Sequence, residues 1–98
     1  MKFTVLVYVD GPAWVAQCLE YDIASQGPSE RDCKERFVRT VSSMLRKDLG
    51  RDSALLSNIE TAPEDFFYRA LNFHHAGPEI PVYPFRKFKV QFLREQSS

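Results

Sequence analysis

Three consecutive stretches decide how this chain folds: Lys-Phe-Thr-Val-Leu-Val-Tyr-Val at Lys2 to Val9, Asp-Gly-Pro-Ala at Asp10 to Ala13, and Trp-Val-Ala-Gln-Cys-Leu-Glu at Trp14 to Glu20. The first is β-branched and aromatic with a period of two, so Phe3, Val5, Val7 and Val9 share one side of a strand and Thr4, Leu6 and Tyr8 the other. Between the two runs, Gly11 tolerates positive φ and Pro12 removes a ladder donor, which makes a turn. A four-residue loop sets the register of the hairpin, pairing Val9 with Trp14, Val7 with Ala16 and Val5 with Cys18. Those six side chains form the candidate core face. The reverse face sets Tyr8 beside Val15, Leu6 beside Gln17 and Thr4 beside Leu19, an apolar surface with enough polar atoms to tolerate water.

Downstream, Ile23 to Gln26 reads as a third short strand closed by Gly27-Pro28. Ser29 then starts a helix. Its hydroxyl caps the first turn, Asp32 occupies the capping-box position as a shorter stand-in for Glu, and Glu30 and Asp32 suit the positive end of the helix dipole. Apolar residues at Cys33, Phe37, Val41, Met44, Leu45 and Leu49 form a single stripe, while Glu30 with Lys34 and Glu35 with Arg39 sit four apart on the wet side. Gly50 ends the helix.

Residues 51–61 lack periodicity and read as a connection. Pro63 opens a second short helix, with Glu64 and Asp65 in its first turn and Phe66, Phe67, Ala70 and Leu71 on its buried side; Gly77-Pro78 stops it. His74-His75 then decorate that helix end, where a charged imidazole complements the dipole. The prolines punctuating Glu79 to Pro84 imply an extended, unpaired stretch. In Arg86 to Arg94, Phe88, Val90 and Phe92 alternate with Lys87, Lys89 and Gln91, the pattern of an edge strand with one wet face. The expected organisation is one domain over 1–98: a β-β-β-α core over 1–50, a connection with a short helix and a proline-rich stretch over 51–84, and a final strand over 85–94. The fold class is α+β, a small antiparallel sheet with the long helix packed on one face.

Composition narrows the function without naming it. The chain has 98 residues, 44% of them hydrophobic, and 13 Lys plus Arg balance 13 Asp plus Glu. That suffices for one core, and zero net charge lowers the expectation of direct DNA binding. Cys18 and Cys33 are too few for a disulfide scaffold or a metal knuckle and read as reduced and packed. Neither a membrane span nor a signal peptide is visible, so a cytoplasmic location is expected.

The run Trp14-Val15-Ala16-Gln17-Cys18-Leu19-Glu20, followed by Ser25-Gln26-Gly27 and an acidic, capped helix start, resembles the antitoxin domain of the HicB family over roughly the first half of the chain. The resemblance implies three antiparallel strands, a helix across one face and a further strand, a partial ribonuclease H-like fold. It also implies a role in covering a small mRNA-cleaving toxin. The stretch around Pro63-Glu64-Asp65-Phe66-Phe67 is similar to stand-alone members of the superfamily. Family antitoxins usually add a DNA-binding domain, and no second helix joined by a tight turn follows here.

Candidate chemistry is sparse. Asp10, Glu20 and Asp22 lie at strand ends where a metal-dependent nuclease would place carboxylates, yet the turn explains the first and a solvated strand end the others. Adjacent His74 and His75 point apart and have no partner ligand at matching spacing. Cys18 has no base beside it and faces Val5. The cluster Arg86, Lys87, Lys89 and Arg94 interleaves with Phe88 and Phe92, but alternation puts the aromatics on the opposite face. No catalytic, metal or cofactor site is expected. The remaining feature is the back of the hairpin, where Leu6, Tyr8, Val15, Gln17 and Leu19 form a candidate partner-binding surface. Three occupants are open: the chain's own Phe66, Phe67 and Leu71, a second copy in a homo-oligomer, or a small toxin.

Overall fold

The hairpin forms in the register that its turn dictates, with Val5 opposite Cys18, Val7 opposite Ala16 and Val9 opposite Trp14. The structure is a computed structural model and describes residues 2–49 and 59–95. Strand β1 (Lys2–Asp10) runs one residue further than expected and β2 (Ala13–Cys18) stops two residues short of Glu20. Asp10 pairs with Ala13, so the loop tightens to Gly11 and Pro12, and Gly11 supplies the positive φ of 60°. Strand β3 (Ala24–Gly27) adds antiparallel to β2, Trp14 facing Gly27 and Gln17 facing Ala24.

Helix α1 (Glu30–Leu49) begins as its cap residues require. The Asp32 amide donates to Ser29 Oγ at 3.1 Å, and that hydroxyl donates in turn to Asp32 Oδ2 at 3.0 Å. The short Asp side chain thus engages the hydroxyl, whereas a capping-box Glu engages the backbone amide. Cys33, Phe37, Val41 and Leu45 are buried, and Met44 packs beside them. Glu30 pairs with Lys34 at 3.3 Å as expected, but Glu35 turns back to Arg31 at 3.0 Å and leaves Arg39 without it. The side chain of Leu49, the stop at Gly50 and the connection over 51–58 lie outside the described residues.

After α1 the sheet departs from the sequence reading. Helix α2 (Glu64–Arg69) is capped by Pro63 and tightens into a 3-10 turn over Ala70–Asn72. Phe73 then turns extended, so His74 and His75 stand in a strand, β4 (Phe73–His75), and not at a helix end. Strand β5 (Ile80–Val82) occupies part of the stretch expected to be unpaired. Strand β6 (Phe85–Glu95) pairs on one side with β1 in parallel, Phe3 facing Val90 and Val7 facing Arg94, and on the other with both β4 and β5, antiparallel. The sheet is therefore mixed, six strands in the order β3-β2-β1-β6-β4 with β5 also on β6; it is not antiparallel throughout, and β6 is not an edge.

The physical reasons are simple. Alternation in β6 records which residues face the core and is blind to strand direction. A parallel neighbour needs a long crossover, which α1 and the segments after it supply. Proline is tolerated on a strand with one open side, and β4 and β5 form the outer rim against β6, with Pro81 inside β5.

Two apolar layers sandwich the sheet. On the front, Phe3, Val5, Val7, Ala16, Cys18, Val90 and Phe92 pack against the α1 stripe. On the rear, Leu6, Leu19 and Leu93 pack beneath Ala62, with Tyr8, Phe66, Ala70 and Phe73 around them. The α1 start is tied to β6 through Glu30, whose Oε1 accepts from Arg94 Nη2 at 2.6 Å and Nε at 2.9 Å.

Candidate functional site

The rear of the hairpin is closed by the chain itself. Leu6, Val15, Gln17 and Leu19 are all buried and Tyr8 is half-buried. The covering segment is held in place by backbone bonds, the Asp22 amide donating to Glu60 O at 2.7 Å and the Ala62 amide to Leu19 O at 3.0 Å. Phe66 lies against Tyr8 with ring centroids 6.1 Å apart. The Arg69 guanidinium sits 4.4 Å over the Tyr8 ring and 5.5 Å from Phe66, a cation-π clamp on both. Burial pushes the Tyr8 hydroxyl up from its ordinary value, and Arg69 offsets only part of that. Gln17 is satisfied as well, since its Nε2 donates to Cys18 O and Asp22 Oδ1, each at 3.0 Å. Of the five residues expected to form a docking surface, only Tyr8 retains substantial exposure.

The cover brings its own apolar side outward. Phe66 and Ala70 face the sheet as expected, but Phe67 is 42% exposed and Leu71 82%, where burial was expected, and Tyr68 is 65% exposed. The 3-10 turn explains the shift. Tightening after Arg69 directs Ala70 and Phe73 toward the sheet and turns Leu71 away from it. An outward strip of Phe67, Tyr68 and Leu71 on one short segment is the candidate protein-docking surface.

The other candidates do not assemble. Asp10 lies at the hairpin turn, opposite Ala13, whereas Glu20 follows Cys18 at the far end, opposite Val5. Five residues of extended strand part them, roughly 16 Å. Glu20 Oε1 instead accepts the Thr4 amide at 2.7 Å, and Asp22 serves Gln17. Among the described residues no cluster of three metal-ligating side chains occurs. His74 and His75 are both exposed, on opposite faces of β4 by strand alternation. Cys18 and Cys33 are free and buried; burial, reinforced by Glu20, pushes the Cys18 thiol up to about 12, the reverse of nucleophile activation. Phe88 stacks on Phe3 and Phe92 is buried in the front core, while Lys87 and Lys89 are exposed, so aromatics and lysines are separated as alternation requires. The Arg86 side chain lies outside the described residues.

Grooves run along both sides of α1. One, about 500 Å³, has Val38, Phe92, Ile80 and Tyr83 along its walls with Lys34 and Glu35 at its rim. The other, about 650 Å³, runs between α1 and the open edge of β3 and is lined by Ser25, Gln26, Arg36, Arg39, Thr40, Ser43, Met44 and Lys47. The sequence holds a signal for the second: from Arg36 to Lys47 the helix carries four cations and no carboxylate.

The molecule so described is a small α+β domain with a helix on one sheet face and a short helical cover on the other. No family model, curated protein or solved structure matches the chain. No described helix is long and apolar enough to cross a membrane.

Proposed function

We propose that the chain is a non-enzymatic protein-binding module of HicB-like type, docking a partner protein on the outward strip of α2 and its 3-10 turn. The observation that carries this reading is the exposure of Phe67, Tyr68 and Leu71 on one segment, with Leu71 82% exposed. Apolar and aromatic side chains gathered in one patch are what a protein interface uses as anchors, whereas scattered single exposures mean little. Element order adds support: the resemblance implies three antiparallel strands, a helix across one face and a further strand, and the chain has β1 to β3, α1 and a later strand, β6, in that order. The partner it implies is a small mRNA-cleaving toxin, docked here over α2 and not on the rear of the hairpin.

The test is co-expression of the chain with any small protein encoded beside its gene, scored by rescue of growth and by isolation of a stable complex. Rescue and a complex that Leu71→Glu abolishes, with the variant's fold intact by circular dichroism, are expected. Rescue unaffected by Leu71→Glu removes α2 as the docking face; no toxicity and no complex removes the antitoxin reading. Self-association of the chain alone, lost in Leu71→Glu, would assign the strip to a homo-oligomer.

A further inference from the structure

We infer that the groove between α1 and β3 binds the sugar-phosphate backbone of a single-stranded nucleic acid without reading its bases. Among the described residues, the lining combines three cations, Arg36, Arg39 and Lys47, with the hydroxyls of Ser25, Thr40 and Ser43 and the amide of Gln26, and contains no carboxylate. Guanidinium, ammonium and hydroxyl groups are the donors that phosphate oxygens accept from. Among the described residues, no carboxylate neutralises these cations. Glu30 is taken by Lys34 and Arg94, and Glu35 by Arg31. Arg36 donates from Nη1 to Gln26 O at 2.9 Å, which fixes its guanidinium at the groove wall. Arg39 and Lys47 make no ion pair or hydrogen bond among the described residues.

A run of cations on a helix is most often just a solvated face, and the β3 edge is what distinguishes this one. It makes the stripe one wall of an open, shallow groove of about 650 Å³, and Arg36 to Lys47 spans about 16 Å of helix, enough to follow a strand past more than one phosphate. An acidic protein segment would satisfy the same charges, but protein interfaces draw their affinity from buried aromatic and apolar anchors, and Met44 is the sole large apolar side chain among the described residues of this lining. No described residue of the lining is aromatic, so base stacking is not supplied and affinity rests on phosphate neutralisation. Zero net charge on the whole chain makes that affinity modest and local to the groove.

Fluorescence anisotropy of a labelled single-stranded RNA oligonucleotide of mixed sequence, titrated with the full chain over a series of salt concentrations, tests the inference. Three phosphate contacts predict a slope of log affinity against log salt of about −2. The variant R39Q/K47Q touches no described hydrogen bond and should retain its melting temperature, lose roughly tenfold or more in affinity at low salt and flatten the slope to about −0.7. K89Q, on β6, and Leu71→Glu, on the α2 strip, should bind as the parent does, so this result stands or falls apart from the docking reading. Absence of binding at low salt, equal binding by R39Q/K47Q, or tighter binding of a poly-glutamate peptide of matched charge than of the oligonucleotide would each overturn it.

Discussion

Gly27 shows how a single position can be set by its neighbours and not by its own conformation. Its φ is not positive, so no turn demands glycine there; a Cβ would instead stand 2.8 Å from the Cys33 amide nitrogen and 2.9 Å from Asp32 Cβ. The backbone of β3 approaches the first turn of α1 too closely for any side chain, and two of the three atoms a Cβ would meet are backbone atoms that cannot swing away. Gly27→Ala should therefore cost about 1 to 3 kcal/mol through overpacking, read as a lowered urea midpoint with an unchanged slope. A midpoint within error of the parent would show that β3 and α1 part without cost. In the sequence Gly27 reads only as a strand terminator, because the close approach exists once α1 has folded back over β3. Gln17 teaches the same lesson. Its burial follows from the arrival of the cover, and its two acceptors, Cys18 O and Asp22 Oδ1, are visible only in three dimensions.

Among the elements, those decided by short-range chemistry were legible. The hairpin register follows from its turn, and α1 from its cap and its apolar stripe, so both could be read from the residues. The parallel seat of β6 and the strands β4 and β5 could not, since each depends on a partner far along the chain and alternation carries no direction. Helix α2 lies between these cases. Six residues are too few to be stable alone, so its orientation is imposed by contact with the sheet. Adjacent phenylalanines then have opposite fates, Phe66 against Tyr8 and Phe67 42% exposed. Phe66→Ala should destabilise by about 2 kcal/mol, less than for a fully buried ring, and speed amide exchange at Ala62, whose bond to Leu19 O pins the cover. Phe67→Ala should stay within about 0.5 kcal/mol of the parent. Equal losses from the two would mean that the cover does not sit on the rear of the sheet as described.

At the scale of the whole molecule, two groups on opposite sides of neutrality bound the pH range of the three-layer fold. Burial pushes the Glu30 carboxyl up, but the hydrogen bonds and charges of Arg94 and Lys34 outweigh it, and the group ends below its ordinary value of 4.5. A depressed carboxyl contributes stability that is present above 4.5 and lost as pH falls through the lower folded value, when protonation removes the tie between α1 and β6. Cys18 works at the other end. Burial raises its thiol from 9.0 to about 12, so the native state holds a proton that the unfolded chain releases. The resulting stability is complete below 9.0 and drains away as pH climbs toward 12, by roughly 4 kcal/mol at most. Cys33, also raised by burial, and the half-buried Tyr8 add to the same limb. Urea midpoints across a pH series should thus form a plateau around neutrality that falls on both sides. Cys18→Ala should start lower, because it leaves a small cavity beside Val5, yet fall less steeply above pH 9.0; Glu30→Gln should flatten the acid side alone. If Cys18→Ala declines in parallel with the parent on the alkaline side, the front core is not sealed around that thiol, and the packing of α1 on the sheet must be looser than its buried residues indicate.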